Sequence, residues 1–74
     1  MNSHILARAR TALGLSRADA ADALGISREA VRRIEHGTMR PSPDLAWSII
    51  QLARDADIPA SLTDIYPPPS EGAA

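Results

Sequence analysis

GISREAVRRIEHG, residues 25–37, gathers three arginines in one short stretch of a chain whose formal net charge is -1. Ser27 is a good N-cap for a helix, and Gly37 suits the end of the helix that Ser27 begins. With Arg28 as the origin of a helical wheel, Arg32 falls at about 40°, His36 at about 80°, Glu29 at about 100° and Arg33 at about 140°. Ala30, Val31 and Ile34 fill the opposite arc. One face of this helix is therefore apolar and fit to sit on a core. The other is polar, rich in arginine, and free to meet something outside.

The residues before this helix explain how it is held. Ser16 is another N-cap, and Asp19 three residues on resembles a capping box with Asp in place of Glu. Ala20, Ala21 and Leu24 form the inner face of the helix so begun, and Gly25 stops it. Two helices packed near a right angle need a small residue where they cross, which Ala21 supplies. The turn between them needs a residue free to take positive φ, which Gly25 supplies. Helix, very short turn, helix is the arrangement that lays the outward face of the second helix in the DNA major groove. Further upstream, Ile5, Leu6, Ala9 and Leu13 predict a first helix ending near Gly14.

Downstream, a TMRP loop leads to Ser42-Pro43-Asp44, a cap, a proline at the first helical position and an acid in the first turn. The fourth helix is predicted to run to about Ala56, with Leu45, Ile49, Leu52, Ala53 and Ala56 as its core stripe. Trp47 falls on nearly the opposite side and Ile50 on the flank, so the two are expected to form an exposed apolar patch. The other reading is that helix five or the tail covers Trp47. Pro59 ends the pattern, and Leu62, Ile65 and Tyr66 suggest a short fifth helix starting at Pro59 or Ser61. Residues 1–66 form the expected domain. PPPSEGAA, residues 67–74, reads as a polar, proline-rich, disordered tail.

Composition bounds what such a chain can be. Its 74 residues make one small domain, with no cysteine for a disulfide or thiolate metal site. With no Phe, one Trp and one Tyr, the core must be aliphatic, and abundant alanine favours an all-α fold. No apolar run approaches the roughly 20 residues of a membrane span, and no signal segment stands at the N-terminus, so the expected location is the cytoplasm. His4 and His36 are too few and too far apart in sequence for a metal site. No nucleophile–base pair or phosphate loop points to an enzyme or a cofactor. Residues 1–40 carry seven arginines against four acids, whereas residues 41–74 carry Arg54 against five acids. A basic half facing a polyanion and an acidic half facing away follow from that division. The absence of lysine has two readings: a need for planar, bidentate hydrogen bonding, or a GC-rich genome.

LARARTALGLSRADAADALGISREAVRRIEHGTMRPS, residues 6–42, resembles the Cro/repressor, or lambda-repressor-like, helix-turn-helix family. The family's spaced elements appear as GLSR, AA, LGIS, VRRIEHG and RPS, and the likeness extends over roughly residues 3–66. It implies a compact five-helix domain acting as a sequence-specific DNA-binding transcriptional regulator. Such a regulator is expected to repress by occupying an operator, in the manner of an autoregulatory, phage, mobile-element or restriction-modification controller in a prokaryotic or phage-infected cell. The resemblance further implies an ion pair between Arg10 of helix one and Glu35 near the end of helix three, orienting the recognition helix. Three departures stand out. Arg17 replaces the usual glutamine that braces the DNA backbone, Ala20 replaces a bulkier residue, and helix four is about one turn longer.

Carried onto this chain, the recognition positions are Arg28, Glu29, Arg32 and Arg33. Arginine grips guanine O6 and N7 bidentately and glutamate accepts from cytosine N4, so the expected half-site is rich in G·C pairs. A Glu29–Arg33 surface pair is the competing structural reading. Arg28 and Arg32, however, are four apart and repel, a choice that stability does not explain. Ser27, Arg17, Thr38 and Arg40, with the backbone near Gly37, are candidates for phosphate contacts, which position without specifying. Trp47, Ile50, Leu62, Ile65 and Tyr66 are candidates for a homodimer contact, which a domain making few base contacts needs for useful specificity on a palindrome. The rival function is an antitoxin-like module that binds a partner protein as well as DNA through the acidic half and tail.

Overall fold

Each helix begins where a side chain satisfies its first free amide groups. In the computed structural model, which describes residues 4–66, His4 Nδ1 accepts the Leu6 amide at 3.0 Å and starts α1, Ile5–Ala12. Ser16 Oγ accepts the Asp19 amide at 3.0 Å and Asp19 Oδ2 accepts the Ser16 amide at 3.2 Å. This reciprocal box starts α2, Arg17–Leu24. Ser27 caps α3, Arg28–Glu35, through the Ala30 amide at 3.0 Å. Ser42 caps α4, Pro43–Asp55, and α5, Leu62–Ile65, follows Ser61, whose amide Asp64 accepts at 2.8 Å. The described residues are all helix, turn and loop, an all-α architecture of five helices.

The turn between α2 and α3 rests on Gly25. Its φ of 71° is left-handed, and the Ile26 amide closes back on Ala21 O at 3.0 Å. That geometry ends α2 and restarts the chain as α3 within three residues.

The core is aliphatic. Leu6 and Ala9 of α1, Ala20 and Ala21 of α2, Val31 and Ile34 of α3, and Ala46, Ile49, Ile50 and Ala53 of α4 are all buried. Helix α1 lies against α4 and α3, and α2 lies against α3. Ala20 and Ala21 sit where α2 meets its neighbours, and both are buried, so small side chains there permit close approach. No helix among the described residues is long and apolar enough to cross a membrane.

Four expectations change. Leu13 follows α1 as its cap residue and is exposed, so the first stripe ends at Ala9. Ile50 does not pair with Trp47 on the surface; it is buried. Helix α4 is packed by α1, α2 and α5, and contacts on several sides widen its buried arc beyond one stripe. Ile65, expected at a dimer contact, is buried in the chain's own core, where α5 folds back on α4. Helix five starts at Leu62, after both expected positions. The expected disordered tail over residues 67–74 lies outside the described residues.

Candidate nucleic-acid interface

Helix α3 divides cleanly into a seat and a face. Val31 and Ile34 are buried, while Arg28, Glu29, Arg32 and Arg33 are exposed. Arg28 occupies the first position of α3, at the positive end of the helix dipole and four residues from Arg32. Both placements cost a few tenths of a kcal/mol in an isolated helix.

The outward acid ties two of these arginines together. Glu29 Oε2 accepts from Arg32 Nη2 at 2.6 Å and from Arg33 Nε at 3.2 Å, and its Oε1 accepts from Arg32 Nε at 3.1 Å. The expected partner at four residues, Arg33, is present. The shorter, bidentate contact is with Arg32 at three residues, which the sequence reading missed because it weighed only the longer spacing. Hydrogen bonds from Arg32 first and Arg33 second pull the Glu29 carboxyl down to about 2. Arg28 makes no ion pair with any described residue.

Behind this face, Glu35 anchors α3 to two other helices. It accepts from Arg10 Nε at 2.7 Å and Arg10 Nη2 at 3.2 Å, and from Arg17 Nε at 3.0 Å. Arg10 Nη1 also donates to Leu15 O at 3.2 Å, fastening the segment between α1 and α2. The Glu35 side chain is 4% exposed, against 19% for Arg10 and 40% for Arg17. Burial pushes the Glu35 carboxyl up, but the hydrogen bonds from Arg10 and Arg17 outweigh it and hold the pKa below the ordinary 4.5. The Arg10–Glu35 pair was expected. Arg17 as a second partner was not, because contacts spanning 18 residues leave no periodic trace in the sequence.

Arg17 spends only its Nε on Glu35, so its terminal nitrogens stay available beside the α3 face. Arg17, Arg28, Glu29 and Arg32 line one shallow, open cleft between the start of α2 and the outward side of α3. The other phosphate candidates differ in freedom. Ser27 Oγ caps α3, and Thr38 Oγ1 donates to Arg33 O at 3.2 Å at the other end of that helix. Arg40 stacks over the Tyr66 ring, 4.6 Å from its centroid, and the Tyr66 hydroxyl donates to Pro41 O. The loop after α3 is thereby strapped to α5.

Away from this face, Trp47 and Leu62 are each 53% exposed. Arg54, seven residues along α4, lies 5.4 Å from the Trp47 ring centroid and covers part of it. His4, to which the sequence assigned no role, caps α1. Burial lowers its pKa below 6.5 against the opposing pull of Glu35 and Asp64.

Among known protein families, the model described as helix-turn-helix matches residues 6–54. No curated protein and no solved structure matches the chain.

Proposed function

The chain belongs to the helix-turn-helix family of DNA-binding transcriptional regulators, and from that premise we propose that it is a repressor that binds a palindromic operator as a homodimer. The observation that carries the reading is the division of α3: Val31 and Ile34 seat it, and Arg28, Glu29, Arg32 and Arg33 stand together in the open. Arg28 is the primary reader, its guanidinium in no ion pair with any described residue and matched to guanine O6 and N7. Glu29 and Arg33 read the neighbouring bases, and Arg32 reaches base or phosphate. Arg17, held at its Nε by Glu35, turns its terminal nitrogens to a backbone phosphate, with Ser27, Thr38 and Arg40 as further backbone contacts. Occupancy of the operator then excludes the polymerase.

Dimerisation rests on Trp47 and Leu62, the large apolar side chains left exposed on α4 and α5, with the half-buried Tyr66 as a further candidate. Aromatic side chains such as Trp47 are enriched where proteins meet. The same surface, on the acidic half, also suits a different protein partner, and a monomer in solution favours that second reading.

Selection of binding sites from random duplex DNA, followed by affinity against salt, tests the proposal. The expected result is a palindrome with G·C pairs in each half-site, a steep salt dependence, and a loss of at least about tenfold in Arg28→Ala. Weak binding with no preferred sequence in the wild-type chain overturns it.

A further inference from the structure

Within the operator-binding reading, we infer that Glu29 sets specificity by clasping Arg32 and tethering Arg33, so that Arg28 is the arginine the recognition helix offers most freely to DNA it does not match. The contact geometry carries this. Arg32 gives Glu29 its Nε and Nη2 together, at 3.1 and 2.6 Å. That edge is a donor pair of the kind that grips guanine O6 and N7 or two phosphate oxygens. Arg33 gives up its Nε at 3.2 Å. One of the three arginine forks on the outward face, that of Arg32, is thus turned inward onto the carboxylate, and Arg33 is tethered to the same carboxylate by its Nε, while Arg28 makes no ion pair with any described residue.

On unmatched DNA, a phosphate must compete with a carboxylate already in contact with both arginines, and Glu29 itself repels that phosphate. On a matched half-site, a cytosine N4 amino group donates to Glu29 in place of the guanidinium, and the released forks turn to adjacent guanines or phosphates. The basic charge of the face is then fully expressed only where a cytosine lies opposite Glu29. All three side chains are exposed, so the clasp biases the arginines and does not lock them.

The test compares the wild-type chain, Glu29→Gln and Glu29→Asp on a random-sequence duplex and on the selected site, across a salt series, with thermal melts to verify folding. Glutamine removes the charge at nearly constant shape. Aspartate keeps the charge but is one methylene short of holding both arginines. The expected result is that Glu29→Gln binds random duplex about three- to tenfold tighter, with a salt slope steeper by about 0.9. Glu29→Asp also binds random duplex tighter than wild type, and both variants gain less on the selected site, so discrimination falls. Random-duplex affinity unchanged in Glu29→Gln overturns the inference. Tightening in Glu29→Gln with Glu29→Asp identical to wild type also overturns it, since net charge alone then accounts for the effect. A wild-type chain with no preference for the selected site defeats the operator reading instead, because the random-duplex comparison judges the clasp by itself.

Discussion

Two arginines from different helices share the Glu35 carboxylate, Arg10 at 2.7 Å and Arg17 at 3.0 Å. Removing the acid strands a partly buried cation, whereas removing the outer arginine leaves a satisfied pair. Glu35→Ala is therefore expected to cost about 2–3 kcal/mol, below the full cost of breaking a buried pair because both arginines reach water. Arg17→Ala is expected to cost under about 1 kcal/mol, and urea denaturation separates the two. The carboxyl's folded pKa lies below its ordinary 4.5, so its contribution is full above 4.5 and is lost as pH falls through the depressed value. The stability gap between wild type and Glu35→Gln is expected to narrow on acidification below 4.5. His4 acts in a higher window. Its Nδ1 must stay unprotonated to cap α1, and its folded pKa lies below 6.5, so the unfolded chain takes up the proton first. Stability held above 6.5 is lost as pH drops toward the lower folded value. His4→Ser keeps a cap without a titrating group, and its urea midpoint is expected to change less than that of wild type between about pH 7.5 and about pH 5.5. None of this was legible from composition. The family resemblance supplied the Arg10–Glu35 pair, but the Arg17 contact and the His4 cap depend on how distant elements come together.

At the level of the elements, local chemistry announced most of the fold. The Ser16–Asp19 box, the Ser27 and Ser42 caps, and Pro43 at the first position of α4 each sit where the sequence pattern put them. The α4 stripe is buried at Ile49, Leu52 and Ala53 as the pattern predicts, and what failed was the placing of Ile50 on an exposed flank. A single apolar stripe describes a helix packed on one side, and α4 is packed by three helices, so Ile50 went inward. Gly25 gives the most direct element-scale test. A Cβ built there meets nothing within 4 Å, so substitution is opposed by the left-handed φ of 71° and not by crowding. Gly25→Ala is expected to cost about 1–2 kcal/mol by urea denaturation, and Gly25→Asn less, because asparagine tolerates that region better. If both cost several kcal/mol, the turn is held by something other than its backbone angle.

Across the whole molecule, the arginine face of α3 and the two most exposed large apolar side chains fall on different parts of the chain. Arg28, Arg32 and Arg33 stand exposed on α3 with Arg17 half-buried at the start of α2, while Trp47 and Leu62 stand out on α4 and α5, in the acidic half. Sequence charge counts foresaw the first division. They could not foresee that Ile50 and Ile65 would be consumed by the chain's own core, with Trp47 and Leu62 the most exposed of the large apolar side chains and so the candidates for the proposed dimer contact. On the proposed dimer, wild type is expected to sediment as two copies, and Trp47→Lys is expected to stay folded, to sediment as a monomer at the same concentration, and to bind the selected palindrome with its two-site cooperativity lost. Unchanged sedimentation removes Trp47 from the contact. The separation of Val31, Ile34 and Glu35 from Arg28, Glu29, Arg32 and Arg33 on one eight-residue helix has a further consequence. Residues that keep the helix in place are not the residues proposed to choose its target. On those proposed roles, descendants of this chain are expected to exchange their target sequence one substitution at a time without passing through a misfolded ancestor. From this starting point the order of changes matters. On the proposed roles, losing Glu29 first is expected to yield a promiscuous intermediate, and changing Arg28 first a silent one.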